Sequence, residues 1–283
     1  MRIFILFLSM VLTSSCDNDS NKSNWNINID GMTPEENNGD WLIVHELSDN
    51  DGLNPYTSTG AGGTYIYAMN LFETLIVQDN STLEFKPWIA KTMPKISKDN
   101  LTYTFSLRED VFFSDGKNLT GEDLIFSLKA IKNPFTDAAP SRNYYKDIFN
   151  AELVDGNPYE VRFRCSEVYF KHDIFIGANI YILPKHIYDP ESIMDKYSFD
   201  DLENLLNKLS EEKQDLDSFE NEPAYKFAQY FNSHEVSRNP VGSGAYLFKE
   251  WRTDDRVVLE KNTQYWNKKE TNHLNSVKKL IFK

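Results

Sequence analysis

Residues 87–134 read PWIAKTMPKISKDNLTYTFSLREDVFFSDGKNLTGEDLIFSLKAIKNP, from Pro87 to Pro134, and the fold is decided there. Leu101, Tyr103, Phe105 and Leu107 alternate with Thr102, Thr104 and Ser106. A period of two places apolar side chains on one face of a strand and hydroxyls on the other. Val111 to Phe113 leads into Ser114-Asp115-Gly116, a turn signal. Thr120 with Asp123 three residues later marks a helix start, because the hydroxyl and the acid satisfy backbone amides at the first turn. Leu124, Ile125, Leu128 and Ile131 then form a helical stripe. Asn133-Pro134 stops the helix, since a residue before proline avoids the helical region. The order is strand, turn, capped helix, stop, which taken alone is an ordinary packing unit of mixed α and β structure.

Working outward, two further strings carry information. NPVGSGAYLFKEW (Asn239 to Trp251) opens a strand at Ala245, which turns at Thr253-Asp254-Asp255 into VVLEKNTQYW (Val257 to Trp266). With Pro87–Pro134, these strings resemble the dipeptide- and oligopeptide-binding lipoproteins of ABC importers, the extracytoplasmic solute-binding proteins of family 5. The resemblance runs from about residue 40 to residue 283. It implies an α/β fold of the periplasmic-binding-protein type II, with residues 41–76 and 179–283 in a first ligand-binding lobe and residues 77–178 in a small accessory β-rich domain. Members of the family are about twice as long, so a second lobe is expected to lie outside this sequence. A half-cleft of this kind is expected to bind weakly.

The chain begins Met1-Arg2, and Ile3 to Leu12 is mostly apolar. About ten apolar residues are too few to span a bilayer and have the form of a signal-peptide core. Leu12-Thr13-Ser14-Ser15-Cys16 resembles a lipobox, which makes Cys16 the expected lipidation site and residues 1–16 a lipoprotein signal. Asp17 to Asp40 is rich in Asn, Asp and Ser and reads as a solvated tether. Cys165, the other cysteine, reads as a small buried hydrophobe within a strand.

Trp41 to Leu47 reads as a strand, followed by a turn-rich exit through Asp51-Gly52-Leu53-Asn54-Pro55. Thr57 to Gly63 reads as a flexible loop, and Tyr65 to Leu75 as a helix. The cluster Gly60-Ala61-Gly62-Gly63 lacks the Lys-Ser/Thr of a phosphate loop and the spacing of a dinucleotide fingerprint. Its glycines permit close backbone approach. By resemblance, Thr59, Gly60, Ala61 and Gly62 offer main-chain contacts to a bound peptide. The string Phe72-Glu73-Thr74-Leu75 corresponds to another family segment. By the same resemblance, the loop holding Ser141, Tyr144 and Tyr145 supplies a tyrosine to the peptide. The alternative is a surface loop with tyrosines packed beneath it.

Residues 151–165 have a hairpin pattern around Asp155-Gly156. Ile182 to Ile187, ILPKHI, is a further family-like string in which His186 reads as a half-buried structural histidine. Phe199 to Phe231 reads as helical, with Leu202, Leu205, Leu206 and Leu209 as one stripe.

The net charge of −13 disfavours nucleic acid and anionic lipid as partners. No metal-ligand spacing of Cys or His occurs, and no cofactor is expected. GxSxG and HExxH are absent, so catalysis is not expected; Asp254-Asp255 reads as a solvated turn. The reading is therefore a lipid-anchored, extracytoplasmic, monomeric binder of short peptides that delivers them to ABC permease subunits. Relatives that take nickel, haem, oligosaccharides or cell-wall peptides keep other solutes open, because fold does not choose among them. A secreted hydrolase is the remaining alternative, since glycosidase carboxylates need no local motif.

Overall fold

A computed structural model describes residues 41–211, 216–267 and 277–283, which belong to one compact unit. In chain order the main elements are β1 (Trp41–Val44), α1 (Ala61–Ile66), β2 (Ile76–Gln78), β3 (Phe85–Pro87), β4 (Lys95–Ile96) and β5 (Thr102–Ser106). They continue with α2 (Gly121–Lys132), β6 (Ile148–Leu153), β7 (Glu160–Cys165), α3 (His172–Asn179), α4 (Phe199–Glu211) and α5 (Pro223–Phe231), and end with β8 (Tyr246–Arg252), β9 (Arg256–Lys261) and β10 (Lys279–Phe282). The signal segment, Cys16 and the tether lie outside the described residues.

Two four-stranded sheets organise the chain. One runs β4-β5-β7-β6 and is antiparallel throughout. The other runs β1-β10-β9-β8, with β1 parallel to β10 and the remaining pairs antiparallel. The short hairpin β2-β3 is a third, separate pairing. The expected alternation holds in β5: Tyr103 and Phe105 are buried while Thr102, Thr104 and Ser106 are half-buried.

Helix α2 starts where the Thr120–Asp123 pair places it. The Thr120 amide donates to Asp123 Oδ2 at 2.9 Å and its hydroxyl to the same oxygen at 3.1 Å. Asp123 Oδ1 also accepts from the Lys185 amide at 3.0 Å, so the capping acid holds the ILPKHI segment as well. The helix is buried more widely than its stripe implies. Phe126, Ser127 and Ala130 are buried along with Leu124, Leu128 and Ile131, because α2 packs against β6, β7 and α4 and also reaches α5. Phe126 meets Phe227 of α5 edge to face, with centroids 6.0 Å apart. Asn133 leaves the helix with extended backbone, as its position before Pro134 requires.

Three expectations change. The first strand stops at Val44 rather than Leu47. The helix expected over Tyr65–Leu75 begins earlier and ends earlier: α1 starts at Ala61 inside the glycine cluster, continues as a π-helical turn over Tyr67–Leu71, and stops at Phe72, which is extended. Tertiary contacts at Glu73 and Leu75, described below, draw these residues out of the helix. The long helical stretch is split into α4, a 3-10 turn at Leu216–Phe219 and α5, which starts at Pro223, a residue suited to a first helical turn. The expected leucine stripe persists, with Leu202 and Leu205 buried.

The loop before β8 packs backbone to backbone on the π-turn. The Gly244 amide donates to the Leu71 carbonyl at 2.9 Å. A Cβ on Gly242 would overlap the Leu71 carbonyl, and one on Gly244 the Asn70 carbonyl. Gly242→Ala is expected to cost about 1–3 kcal/mol of stability, the usual range for overpacking. Urea unfolding checks this; an unchanged midpoint would show that the loop yields freely.

Candidate functional site

The Gly60 loop is held by one carboxylate. Asp51 Oδ2 accepts from the Thr59 amide at 2.8 Å and the Thr59 hydroxyl at 2.6 Å, and Asp51 Oδ1 from the Ser58 hydroxyl at 2.7 Å. The Gly60 amide donates to the same group at 3.1 Å. Burial alone would raise the Asp51 pKa, but the hydrogen bonds from Thr59, Ser58 and Gly60 outweigh it and bring the value down to about 2. The amides of Thr59 and Gly60 are thus engaged within the protein. The close approach that the glycines allow is to the protein itself: a Cβ on Gly62 would lie 2.7 Å from Glu46 Oε2, and one on Gly63 would lie 2.8 Å from the Gly52 carbonyl. Ala61 starts α1 rather than continuing a loop.

The 141–145 segment is fixed by cations. Lys132, 5% exposed, donates to the carbonyls of Ile148 at 2.8 Å, Tyr145 at 3.2 Å and Lys146 at 3.4 Å. Arg142 turns back to the end of α2 and donates to the carbonyls of Ile131, Asn133 and Thr136 at 2.7–3.1 Å. Positive charge at a helix C-terminus is favourable on both hydrogen-bonding and dipole grounds. Ser141 lies half-buried in a short helical turn, Ala139–Arg142, and its amide donates to the Ala138 carbonyl. Tyr144 is 58% exposed, whereas Tyr145 is buried.

A cluster of tyrosines adjoins the two loops, with Tyr145, Tyr181 and Tyr67 as neighbours of Tyr56. The Tyr56 hydroxyl donates to the Tyr181 carbonyl at 2.6 Å. Tyr67 packs edge-on to Tyr181, with centroids 5.9 Å apart, and its hydroxyl is 3.2 Å from that of Thr64. Burial raises the Tyr56 hydroxyl well above its ordinary pKa, and the nearby hydroxyls of Tyr145, Tyr181 and Tyr67 raise it further. Burial likewise raises Tyr145, and it pushes Tyr181 up to about 12. Tyr56, Tyr145 and Tyr181 therefore stay neutral at ordinary pH and offer hydrogen bonds rather than charge.

Asp51, Tyr56, Tyr67 and Tyr181 escaped the sequence reading. Asp51 lies eight residues before Thr59, with no local motif to link them. Tyr56 follows a turn proline, and Tyr181 sits in an apolar run that reads as packing.

Other residues read as structural behave so. His186 Nε2 pairs with Asp115 Oδ2 at 2.5 Å. Cys165 is buried, and burial pushes its thiol up to about 11. Asp254 occupies the tight β8-β9 turn with a positive φ of 57°, and its amide donates to Asp49. Among the described residues no group of three or more His, Cys, Asp or Glu is placed to hold a metal ion, and no helix is long and apolar enough to cross a membrane.

Comparison with known proteins defines the class of this chain. The family model described as Bacterial extracellular solute-binding proteins, family 5 Middle, matches residues 84–283. The chain belongs to that family. It is 25% identical over 247 residues to the periplasmic oligopeptide-binding protein OppA of Salmonella typhimurium, covering 81% of this chain and 37% of OppA. It is 25% identical over 268 residues to the oligopeptide-binding protein AppA of Bacillus subtilis, covering 94% of this chain and 41% of AppA. The chain therefore spans about two fifths of these relatives. Among solved structures, AppA of Bacillus subtilis in complex with a nonapeptide matches with a TM-score of 0.61 at 22% identity, over 86% of this chain and 40% of AppA. NikZ of Campylobacter jejuni in complex with Ni(L-His) also matches with a TM-score of 0.61 at 22% identity, over 87% of this chain and 39% of NikZ. These likenesses establish the type II periplasmic-binding-protein fold.

The Asp51 clamp has a pH signature. Its folded pKa is depressed, so the clamp's contribution is full above the unfolded value of about 3.9 and is lost as pH falls through about 2. The Thr59 and Gly60 amide resonances are expected to titrate with a midpoint near that lower value, and Asp51→Asn to abolish the titration. A midpoint at or above the ordinary aspartate value would contradict the clamp.

Proposed function

We propose that the protein captures short peptides outside the cytoplasmic membrane and delivers them to the permease of an ABC importer, held to the membrane by lipid on Cys16. The observation that carries this reading is the group of neighbouring phenols, Tyr56, Tyr145 and Tyr181, beside the 57–64 and 141–145 loops. An extended peptide presents a repeating ladder of amides and carbonyls, and a site of phenols and of loop backbone groups other than the Thr59 and Gly60 amides answers that ladder without selecting sequence. A charged or metal-binding solute asks for a different constellation. The naming of OppA and AppA as oligopeptide-binding proteins supports the same reading.

In the proposed mechanism Asp51 and Lys132 are positioning residues. Asp51 sets the Thr59–Gly60 backbone, and Lys132 sets the backbone at Tyr145. Thr59, Gly60, Ala61 and Gly62 line one side of the bound main chain, and Ser141, Tyr144 and Tyr145 the other. Closure around the peptide is a hinge motion between lobes, and the ligand shifts the open–closed balance only by its preference for the closed state. The loaded form is the one that docks on the permease.

Amide chemical shifts of the chain under titration with tripeptides to pentapeptides test this and register weak binding. The expected outcome is saturable shifts at Thr59, Gly60 and Tyr144. Shifts confined to other parts of the chain, or elicited by nickel or haem and not by peptides, would overturn the reading.

A further inference from the structure

Beside this site lies a run of exposed aromatic rings. Phe170 is 78% exposed and Val168 61%, with Tyr144 and Phe149 also well exposed. Single exposed apolar residues are ordinary, but a contiguous group marks an interaction surface. The rings are in register. Tyr144 packs on Phe175 with centroids 5.2 Å apart, Phe175 stacks on Tyr169 at 5.7 Å and 7°, and Tyr169 meets Phe170 at 5.0 Å. The run is anchored from below. Tyr169 packs edge-on to the buried His172, which packs in turn on Tyr103 of the core. The Ser166 amide donates to the Asp147 carbonyl at 2.8 Å, pinning the segment beside residues 146–149. A platform held this way loses little entropy when something covers it.

We infer that this platform is a subsite for an aromatic or branched aliphatic side chain of the bound peptide, so that the protein prefers peptides long enough to reach it. The inference rests on the peptide reading above. Tyr144 belongs both to the loop assigned to the peptide and to the platform, so the two surfaces are continuous. Phe175, the platform ring on helix α3, lies four residues, about 6 Å along the axis, from the helix end at Asn179 that leads to Tyr181. An extended peptide advances about 3.3 Å per residue and covers that span in roughly two residues. A lipid surface is the competing occupant of exposed aromatics. The net charge of −13 sets the chain against the anionic bilayers that would otherwise hold it.

The test uses the 283-residue chain, a pentapeptide of alanine, and five variants of it carrying one phenylalanine at each position. Binding is followed by amide shifts. At least one phenylalanine peptide is expected to bind about tenfold or more tightly than the alanine peptide, as burial of one aromatic side chain provides. Shifts are expected at residues 168–171, and the double variant Tyr169→Ser, Phe170→Ser is expected to bring that peptide down to the alanine peptide's affinity. If alanine and phenylalanine peptides all bind alike, the subsite is refuted while the peptide reading stands. If no peptide moves Thr59, Gly60 or Tyr144, the peptide reading fails and the subsite with it. If phenylalanine brings no preference and the chain floats with phosphatidylcholine–phosphatidylglycerol vesicles in a Phe170-dependent way, the platform serves a membrane and the inference is overturned.

Discussion

The buried carboxylate of Glu73 is the interaction on which the rest of the structure depends. It accepts from the Tyr265 hydroxyl at 2.6 Å, from Trp88 Nε1 at 2.8 Å and from Trp266 Nε1 at 3.1 Å. Burial pushes its pKa up against the pull of these bonds. A carboxylate taken from water demands such partners, because a buried acceptor without them is costly. Three segments far apart in the chain are thereby joined: the exit of the π-turn, the residue after β3, and the loop after β9. Trp88 and Trp266 meet edge to face at 5.4 Å, and the Arg108 guanidinium lies 4.6 Å from the centroid of Trp266.

That junction determines what the neighbouring backbone can do. The Glu73 carbonyl accepts from the Ile182 amide, and the Leu75 carbonyl from the amides of Trp88 and Ala90. Residues 73–75 are committed to these partners, so the helix begun at Ala61 ends at Leu71. Ile182 is the neighbour of Tyr181, so the same bond places Tyr181 beside Tyr56 and Tyr67. On the opposite side, Gly242 and Gly244 seat the β8 entry loop directly on residues 70–71. The site is a consequence of this packing: one loop is held by Asp51, the other by Lys132 and Arg142, and both abut phenols that the Glu73 junction positions.

Local patterns announced much of the fold. The alternation in β5, the Thr120–Asp123 helix start, the stop before Pro134 and the β8-β9 turn are all written within a few residues of where they act. The site was legible only in outline. The string Phe72-Glu73-Thr74-Leu75 was recognisable as a family segment, yet nothing nearby told that Glu73 faces Trp88, Tyr265 and Trp266, the last two almost two hundred residues away. The helix over Tyr65–Leu75 failed for the same reason: apolar spacing favoured continuation, and distant hydrogen bonds ended it. Thr59 to Gly62, and Ser141, Tyr144 and Tyr145, stand out by resemblance alone. Of the groups that hold them, Asp51 reads as a turn acid and Lys132 carries no local signal, because what makes them specific is burial and the carbonyls or amides around them.

Equilibrium urea unfolding of Glu73→Ala, beside the unaltered chain at neutral pH, tests the central claim most directly. Removing the acceptor takes a partner from the buried Tyr265 hydroxyl and the half-buried Trp88 and Trp266 indoles, and a donor left unmet costs about 1–3 kcal/mol. The account predicts a loss of about 3 kcal/mol or more, accompanied by a change in tryptophan emission from Trp88 and Trp266 before unfolding begins. A variant as stable as the parent to within about 0.5 kcal/mol, the range of an ordinary surface change, would contradict it.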